Sequence, residues 1–247
     1  MDRMIYIAMT GAKEVLNHQA SVSHNLSNAA TNGFRAQLTA LRATPVFGDG
    51  APTRAFVVDS TPGSDFTPGP VQHTGRDLDV AVQGQGWIAV QAPDGSEAYT
   101  RNGSLQVNAS GILETRNNLT VMGDGGPITI PQDTQIIVAR DGTISSVPSG
   151  NALNAVATVG RIKLVNPPDK DMVRGDDGLF RMKAGGAAPA DVNVSLMPAS
   201  LEGSNVNVVE SMVNMITLAR QFDMQIKMIQ NADQAARQAS QILSVTA

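Results

Sequence analysis

The most constraining feature of this sequence is that helical apolar stripes occupy its two ends and turn signals punctuate its middle. In the first segment, apolar or small residues fall at Ile5, Ala8, Ala12, Val15, Val22, Leu26 and Ala29, with Gln19 as the one polar member. Steps of three and four alternate, which is the spacing of a coiled-coil seam and not of a strand. The last segment repeats the pattern at Val208, Met212, Met215, Ala219, Phe222, Ile226 and Ile229; after a slip of phase, Ala232, Ala236, Ala239 and Leu243 continue it. Asn207 is placed to cap this second helix, with Glu210 three residues on as its capping-box partner. Thr31-Asn32-Gly33 ends the first helix, because Asn and Gly tolerate the left-handed backbone that stops one.

Between the ends, short apolar runs at 78–82, 87–90, 105–107, 119–122, 128–130, 136–139, 143–147 and 161–165 read as strands. Asp94-Gly95, Asn102-Gly103, Ser110-Gly111, Asp124-Gly125, Asp141-Gly142 and Asp177-Gly178 separate them as hairpin turns. Residues 43–75 are rich in Pro, Gly, Thr and Asp without periodicity, the composition of an extended connector. The expected fold is mixed α and β: paired long N- and C-terminal helices, as a coiled-coil-like inner domain, flank a connector and an all-β outer domain. The expected boundaries are 1–33 for the first helix, 34–77 for the connector, 78–191 for the outer β domain, 192–204 for a return connector and 205–247 for the second helix.

Charge and composition exclude several functions. A net charge of −4 provides no basic field for nucleic acid or anionic lipid. No window approaches the roughly 20 apolar residues of a membrane span, so no membrane insertion is expected. Asp2 and Arg3 precede only a short apolar stretch at 5–9 that breaks at Thr10-Gly11, without a following small-residue cleavage site, so no cleaved signal peptide is expected. The absence of cysteine rules out disulfides and thiolate metal sites. His18, His24 and His73 lack metal-ligand spacing, and Gly84-Gln85-Gly86 lacks the third glycine and the helix of a dinucleotide loop. Asp169, Asp171, Asp176 and Asp177 lie in Gly- or Pro-flanked loops, where carboxylates form turns. No Gly-x-Ser-x-Gly elbow occurs. No catalytic residue, cofactor or metal is expected.

Aromatic residues make up only 4% of the chain, which is thin for one large core. A narrow two-helix seam covers only part of two stripes, so both are expected to meet other chains. The expected assembly interface comprises Ile5, Ala12, Val15, Val22, Leu26, Val208, Met212, Met215, Phe222, Ile226 and Ile229.

Asn25-Leu26-Ser27-Asn28-Ala29-Ala30-Thr31-Asn32-Gly33-Phe34 resembles the element that closes the N-terminal helix of flagellar rod and hook axial proteins. Its family positions are Asn25, Asn28, Thr31, Gly33 and Phe34. Ser204-Asn205-Val206-Asn207-Val208-Val209-Glu210 and Met212-Val213-Asn214-Met215-Ile216 resemble that family's second helix. Phe34-Arg35-Ala36-Gln37-Leu38 followed by Leu41-Arg42-Ala43, Gly75-Arg76-Asp77-Leu78-Asp79-Val80-Ala81, Gly86-Trp87-Ile88-Ala89-Val90-Gln91, Tyr99-Thr100-Arg101-Asn102-Gly103, Arg174-Gly175-Asp176-Asp177-Gly178-Leu179-Phe180 and Leu201-Glu202-Gly203-Ser204-Asn205-Val206 are similar to the proximal-rod branch. The resemblance implies a structural subunit that assembles helically in the proximal rod of the basal body to transmit torque. It also implies passage through the flagellar type III export apparatus without signal cleavage, and residence in the periplasmic rod. The implied partners are other copies of the chain and other rod proteins, both proximal and distal. The competing expectations are a distal-rod or hook-type subunit and, from a different class, a periplasmic carbohydrate-binding or peptidoglycan-acting protein.

Overall fold

The computed structural model describes residues 2–45, 55–131, 134–148 and 156–245. The chain divides into a helical unit of residues 1–29, 36–65 and 206–247 and a β unit of residues 30–35 and 66–205.

The helical unit contains α1 (Asp2–Ser27), α2 (Val208–Val245) and an antiparallel pair of strands, β1 (Gln37–Pro45) and β2 (Ala55–Ser64). Asn207 caps α2: its Oδ1 accepts the Val209 and Glu210 backbone N–H groups at 3.1 and 3.2 Å, which satisfies two donors that the first turn leaves without helical partners. The helices pack closely where α1 carries glycine, since a Cβ on Gly11 would lie 3.3 Å from the Gln225 side chain. Ala8, Ala12 and Val22 are buried on α1, as are Leu218 and Ala232 on α2. α1 stops at Ser27 and not at residue 33. The Ser27 hydroxyl donates back to the Ser23 carbonyl at 2.7 Å and the Asn28 amide to the His24 carbonyl at 2.9 Å, local bonds that compete with further helix.

The expected fold class is corrected by this arrangement. Among the described residues there are two long α-helices, one at each end, and a mostly β body, and no plain connector separates the helices from an all-β domain. Much of the presumed connector is β1 and β2, which belong to the same compact unit as the helices. The covered row of α2 is also shifted from the expected one: Val208 and Met212 are exposed, while Ser211, Met215, Leu218, Phe222 and Gln225 are the more covered residues. The physical reason is that β1 and β2 pair with each other and touch α1, which packs chiefly on α2, so the segment after α1 is part of the helical unit and not a spacer.

The β unit is not purely strands either, since a 3₁₀ turn spans Asp169–Asp171. Residues 128–130, expected as a strand, contribute only an isolated bridge from Thr129 to Ile112. The presumed return segment instead pairs back into the unit. Strand Ser200–Glu202 pairs with β3 (Val71–His73), and Ser195–Pro198 pairs with β4 (Val80–Gln83). These ladders join residues more than a hundred positions apart, and three- or four-residue strands leave no local period to read.

The core centres on β5 (Trp87–Gln91), flanked by β6 (Glu97–Thr100) and by strand Thr120–Gly123. Because side chains alternate along a strand, β5 divides its residues between two apolar clusters. Ile88 and Val90 join Leu105, Leu113, Val121, Ile144 and Leu164, all but sealed from solvent. Trp87 and Ala89 join Tyr99, Val165 and Phe180 on the other face. β5 therefore reads as an unbroken apolar run, the pattern of a strand covered on both sides.

Two predictions follow from this packing. A Cβ at Gly103 would collide with the Val80 carbonyl, whereas at Gly125 it meets nothing within 4 Å. Gly103→Ala should cost about 1–3 kcal/mol in urea unfolding, and Gly125→Ala should be neutral or stabilise by up to about 1 kcal/mol through the unfolded chain. The second concerns Tyr99, whose hydroxyl accepts from the Ala188 N–H at 2.6 Å and donates to Glu97 at 3.0 Å. Burial, with the Glu97 carboxylate adding to it, pushes this phenol up to about 12. An unfolded tyrosine ionises near its ordinary value of about 10. The folded state thus holds the proton longer, and stability should fall as pH rises from 10 through 12. Urea midpoints at pH 9.5 and 11.5 should drop less steeply for Tyr99→Phe than for the wild type.

Candidate functional site

The chain passes between its two units four times, at 29/30, 35/36, 65/66 and 205/206. Within the β unit, the residues next to those passages converge on one carboxylate. Glu202, on the strand Ser200–Glu202, is 1% exposed. Its Oε1 lies 2.6 Å from Arg35 Nη2, and its Oε2 lies 2.9 Å from Arg101 Nη1, with both guanidiniums out of solvent. Oε1 also accepts the Gly69 N–H at 3.0 Å, and the Glu202 carbonyl accepts the Gly33 N–H at 2.8 Å.

Local sequence explains how these segments reach one point. Gly33 has φ +68°, and a Cβ there would collide with the Arg101 backbone. Only glycine combines that conformation with that approach. A Cβ on Gly69 would likewise collide with the Gly203 carbonyl. Gly203 donates to the Pro70 carbonyl at 2.8 Å, and the Asn205 N–H donates to the Phe34 carbonyl at 3.3 Å, so the inbound and outbound strands of chain bond each other directly.

The electrostatics are unbalanced. Two cations face one anion, and the Trp87 ring lies 5.9 Å from the Arg35 guanidinium and 5.3 Å from that of Arg101. Phe66 and Phe180 pack on the same indole at 5.9 and 4.6 Å and lie 5.6 Å from each other. Burial pushes Arg101 below its ordinary range, Glu202 pulls it back and Arg35 adds to the fall. Arg101 Nη2 also donates to the Gly84 carbonyl at 2.7 Å. Arg35 Nε and Nη1 make no hydrogen bond among the described residues, and the contact of Nη2 with Glu202 is an ion pair without hydrogen-bond geometry. Arg174 stacks on Phe34 at 4.6 Å and donates to the Arg35 carbonyl at 3.2 Å. This arrangement holds chain segments together; it presents no nucleophile and base in register.

The residues singled out from the sequence distribute over two places. Asn25 brackets the start of β1, its Nδ2 donating to the Gln37 carbonyl at 2.9 Å and its Oδ1 accepting the Gln37 N–H at 2.8 Å. Thr31 accepts the Phe34 N–H, and Asn28 bonds back into α1. Gly33 and Phe34 lie in the Glu202 cluster. Of the expected interface, Ala12 and Val22 are buried; Ile5, Val15, Leu26, Met215, Phe222, Ile226 and Ile229 are half-buried; Val208 and Met212 are exposed. Sequence reasoning missed Arg35, Arg101 and Glu202 as a unit. Each stands in a block quoted for its resemblance, but nothing local to any of the three signals that it is buried.

Two family models match the chain: "Flagellar hook protein FlgE/F/G D1 domain" over residues 81–146 and "Flagellar basal body rod FlgEFG protein C-terminal" over residues 197–242. The chain is 50% identical to the flagellar basal-body rod protein FlgF of Escherichia coli (strain K12) and 49% identical to that of Salmonella typhimurium, in both cases over all of both chains. It is 31% identical to FlgF of Buchnera aphidicola subsp. Schizaphis graminum over 99% of each. Full-length similarity at this level, across the blocks that build the Glu202 cluster and both helices, places the chain in the FlgF family of flagellar basal-body rod proteins.

Proposed function

We propose that the chain is a structural subunit of the proximal rod, adding helically to copies of itself and to other rod proteins and passing torque along the axis. The observation that carries this reading is an uncovered apolar stripe. On α2, Val209, Met212, Val213 and Ile216 are 71%, 51%, 56% and 57% exposed, and Met224 and Met228 extend the row. Their spacing of three and four places them along one side of the helix. Tyr6, Met9 and Leu16 make a similar row on α1. Exposed apolar area of this extent marks a surface that other protein covers. A head-to-tail contact that does not close on rotation builds a filament, and two helical ends supply its two sides.

The expected interface residues Ile5, Ala12, Val15, Val22, Leu26, Met215, Phe222, Ile226 and Ile229 then act from beneath, holding α1 and α2 so that the exposed rows stand in place, with Val208 and Met212 among the contacting ones. The subunit travels through the type III export apparatus to the periplasmic part of the basal body; among the described residues no helix is long and apolar enough to cross a membrane. A carbohydrate-binding surface would need exposed aromatic platforms; Trp87 and Tyr99 are buried, and Tyr6, which is exposed, stands in the apolar row of α1.

Val213→Asp with Ile216→Asp should abolish motility in a strain that lacks its own copy, while purified protein unfolds within about 0.5 kcal/mol of the wild type, because both side chains are exposed. Normal rods and swimming cells would overturn the assembly reading. Leu218→Asp, on the buried side, should destabilise the helical unit itself by several kcal/mol.

A further inference from the structure

Among the described residues, the four passages of the chain and the Glu202 cluster coincide more closely than packing alone requires. Residues 30–35 are a short excursion into the β unit between two passages, and both Gly33 and Arg35 of that excursion bond Glu202. Gly69 follows the third passage by four residues and bonds the same carboxylate. Glu202 itself precedes the fourth.

Without Glu202, two guanidiniums would stand buried around a single indole with no anion bonded to either. Asp169 also influences Arg101, but it acts only through space and is itself exposed. Like charges in a medium of low polarity repel strongly, and a buried charge that loses its partner is expelled toward water. Arg35 is the cation free to leave, since its Nε and Nη1 have no hydrogen bonds to break, whereas Arg101 is anchored to the Val82 and Gly84 carbonyls.

We propose that Glu202 is a charge latch: the outbound C-terminal segment, by delivering this carboxylate, locks the 30–35 excursion and the Gly69 return in the same step, so that all four passages are secured together or released together. Glu202 is thus a positioning residue that acts through Arg35 and the Gly69 amide. This property belongs to the β unit alone and does not depend on the assembly proposed above.

The test is amide hydrogen exchange on the full chain, comparing the wild type with Glu202→Gln, which keeps size and an acceptor but removes the charge. The Gly33, Gly69 and Asn205 amides should accelerate together, each by tenfold or more, while the Val90 and Leu105 amides of the core keep their protection and Trp87 fluorescence shifts toward that of a wetter indole. The double variant Glu202→Gln/Arg35→Met removes the surplus cation as well and should restore protection at Gly69 and Asn205 to within about threefold of the wild type. Acceleration confined to Gly69 in the single variant would overturn the latch, as would a double variant no better protected than the single. If Glu202→Gln does not fold, a folded and protected double variant supports the latch and an unfolded one overturns it.

Discussion

One carboxylate shared by two guanidiniums out of water is the interaction on which the placement of the chain at 33–35, 69, 101 and 202 depends. Its worth lies less in stability than in placement. Burying three charges costs several kcal/mol per ion before their attraction offsets it, and apolar residues of similar size commonly do as well or better. Such a replacement would lose direction. A carboxylate whose two oxygens point at Arg35 and Arg101, with a backbone amide on one of them, admits one arrangement of the segments at 33–35, 69, 101 and 202. Glycines at 33 and 69 let the main chain come near enough for it, and the Trp87 ring fills the space between the cations.

This placement gives the twofold apolar division of β5 its purpose. Ile88 and Val90 hold the larger core, which needs only volume and dryness. Trp87, on the opposite face, ties the smaller core to the charged cluster through Phe66 and Phe180. The unit thus has one region built for cohesion and another built to hold the chain where it comes and goes. A subunit of a rod that carries mechanical load benefits from separating these tasks.

Helical features were legible in the sequence at the start of α2, where one local cause set them, and not at the end of α1, which Ser27 and Asn28 bring forward from Gly33. Asn207 as the cap of α2 could be read because capping depends on residues two and three positions away. The β1 and β2 ladder was not, because Pro, Gly and Asp along 43–75 are equally the marks of an extended connector, and nothing in that composition reveals its pairing. β3 with Ser200–Glu202 was hidden for another reason, as each strand has three residues and their partnership spans the length of the β unit. The stripe on α2 was read at nearly the right period but partly on the wrong side: Leu218 is buried where Ala219 was expected, because two apolar rows run along this helix and spacing alone does not say which is turned inward. The Glu202 cluster shows the widest gap. Arg35, Arg101 and Glu202 look like ordinary surface charges one at a time, and burial is a property of the three together.

The makeup of the exposed row on α2 has a chemical consequence. Met212, Met224 and Met228 are 51%, 59% and 41% exposed in a protein with no cysteine. Thioethers are flexible and polarisable, so they settle against neighbours of differing shape where branched side chains would not. The same sulfur atoms are readily oxidised, and a sulfoxide is polar and stiffer to accommodate. The face best suited to adaptable contact is therefore also the first to be spoiled by peroxide or hypochlorite, and methionine sulfoxide reduction becomes the repair chemistry that decides whether an oxidised chain regains an apolar flank.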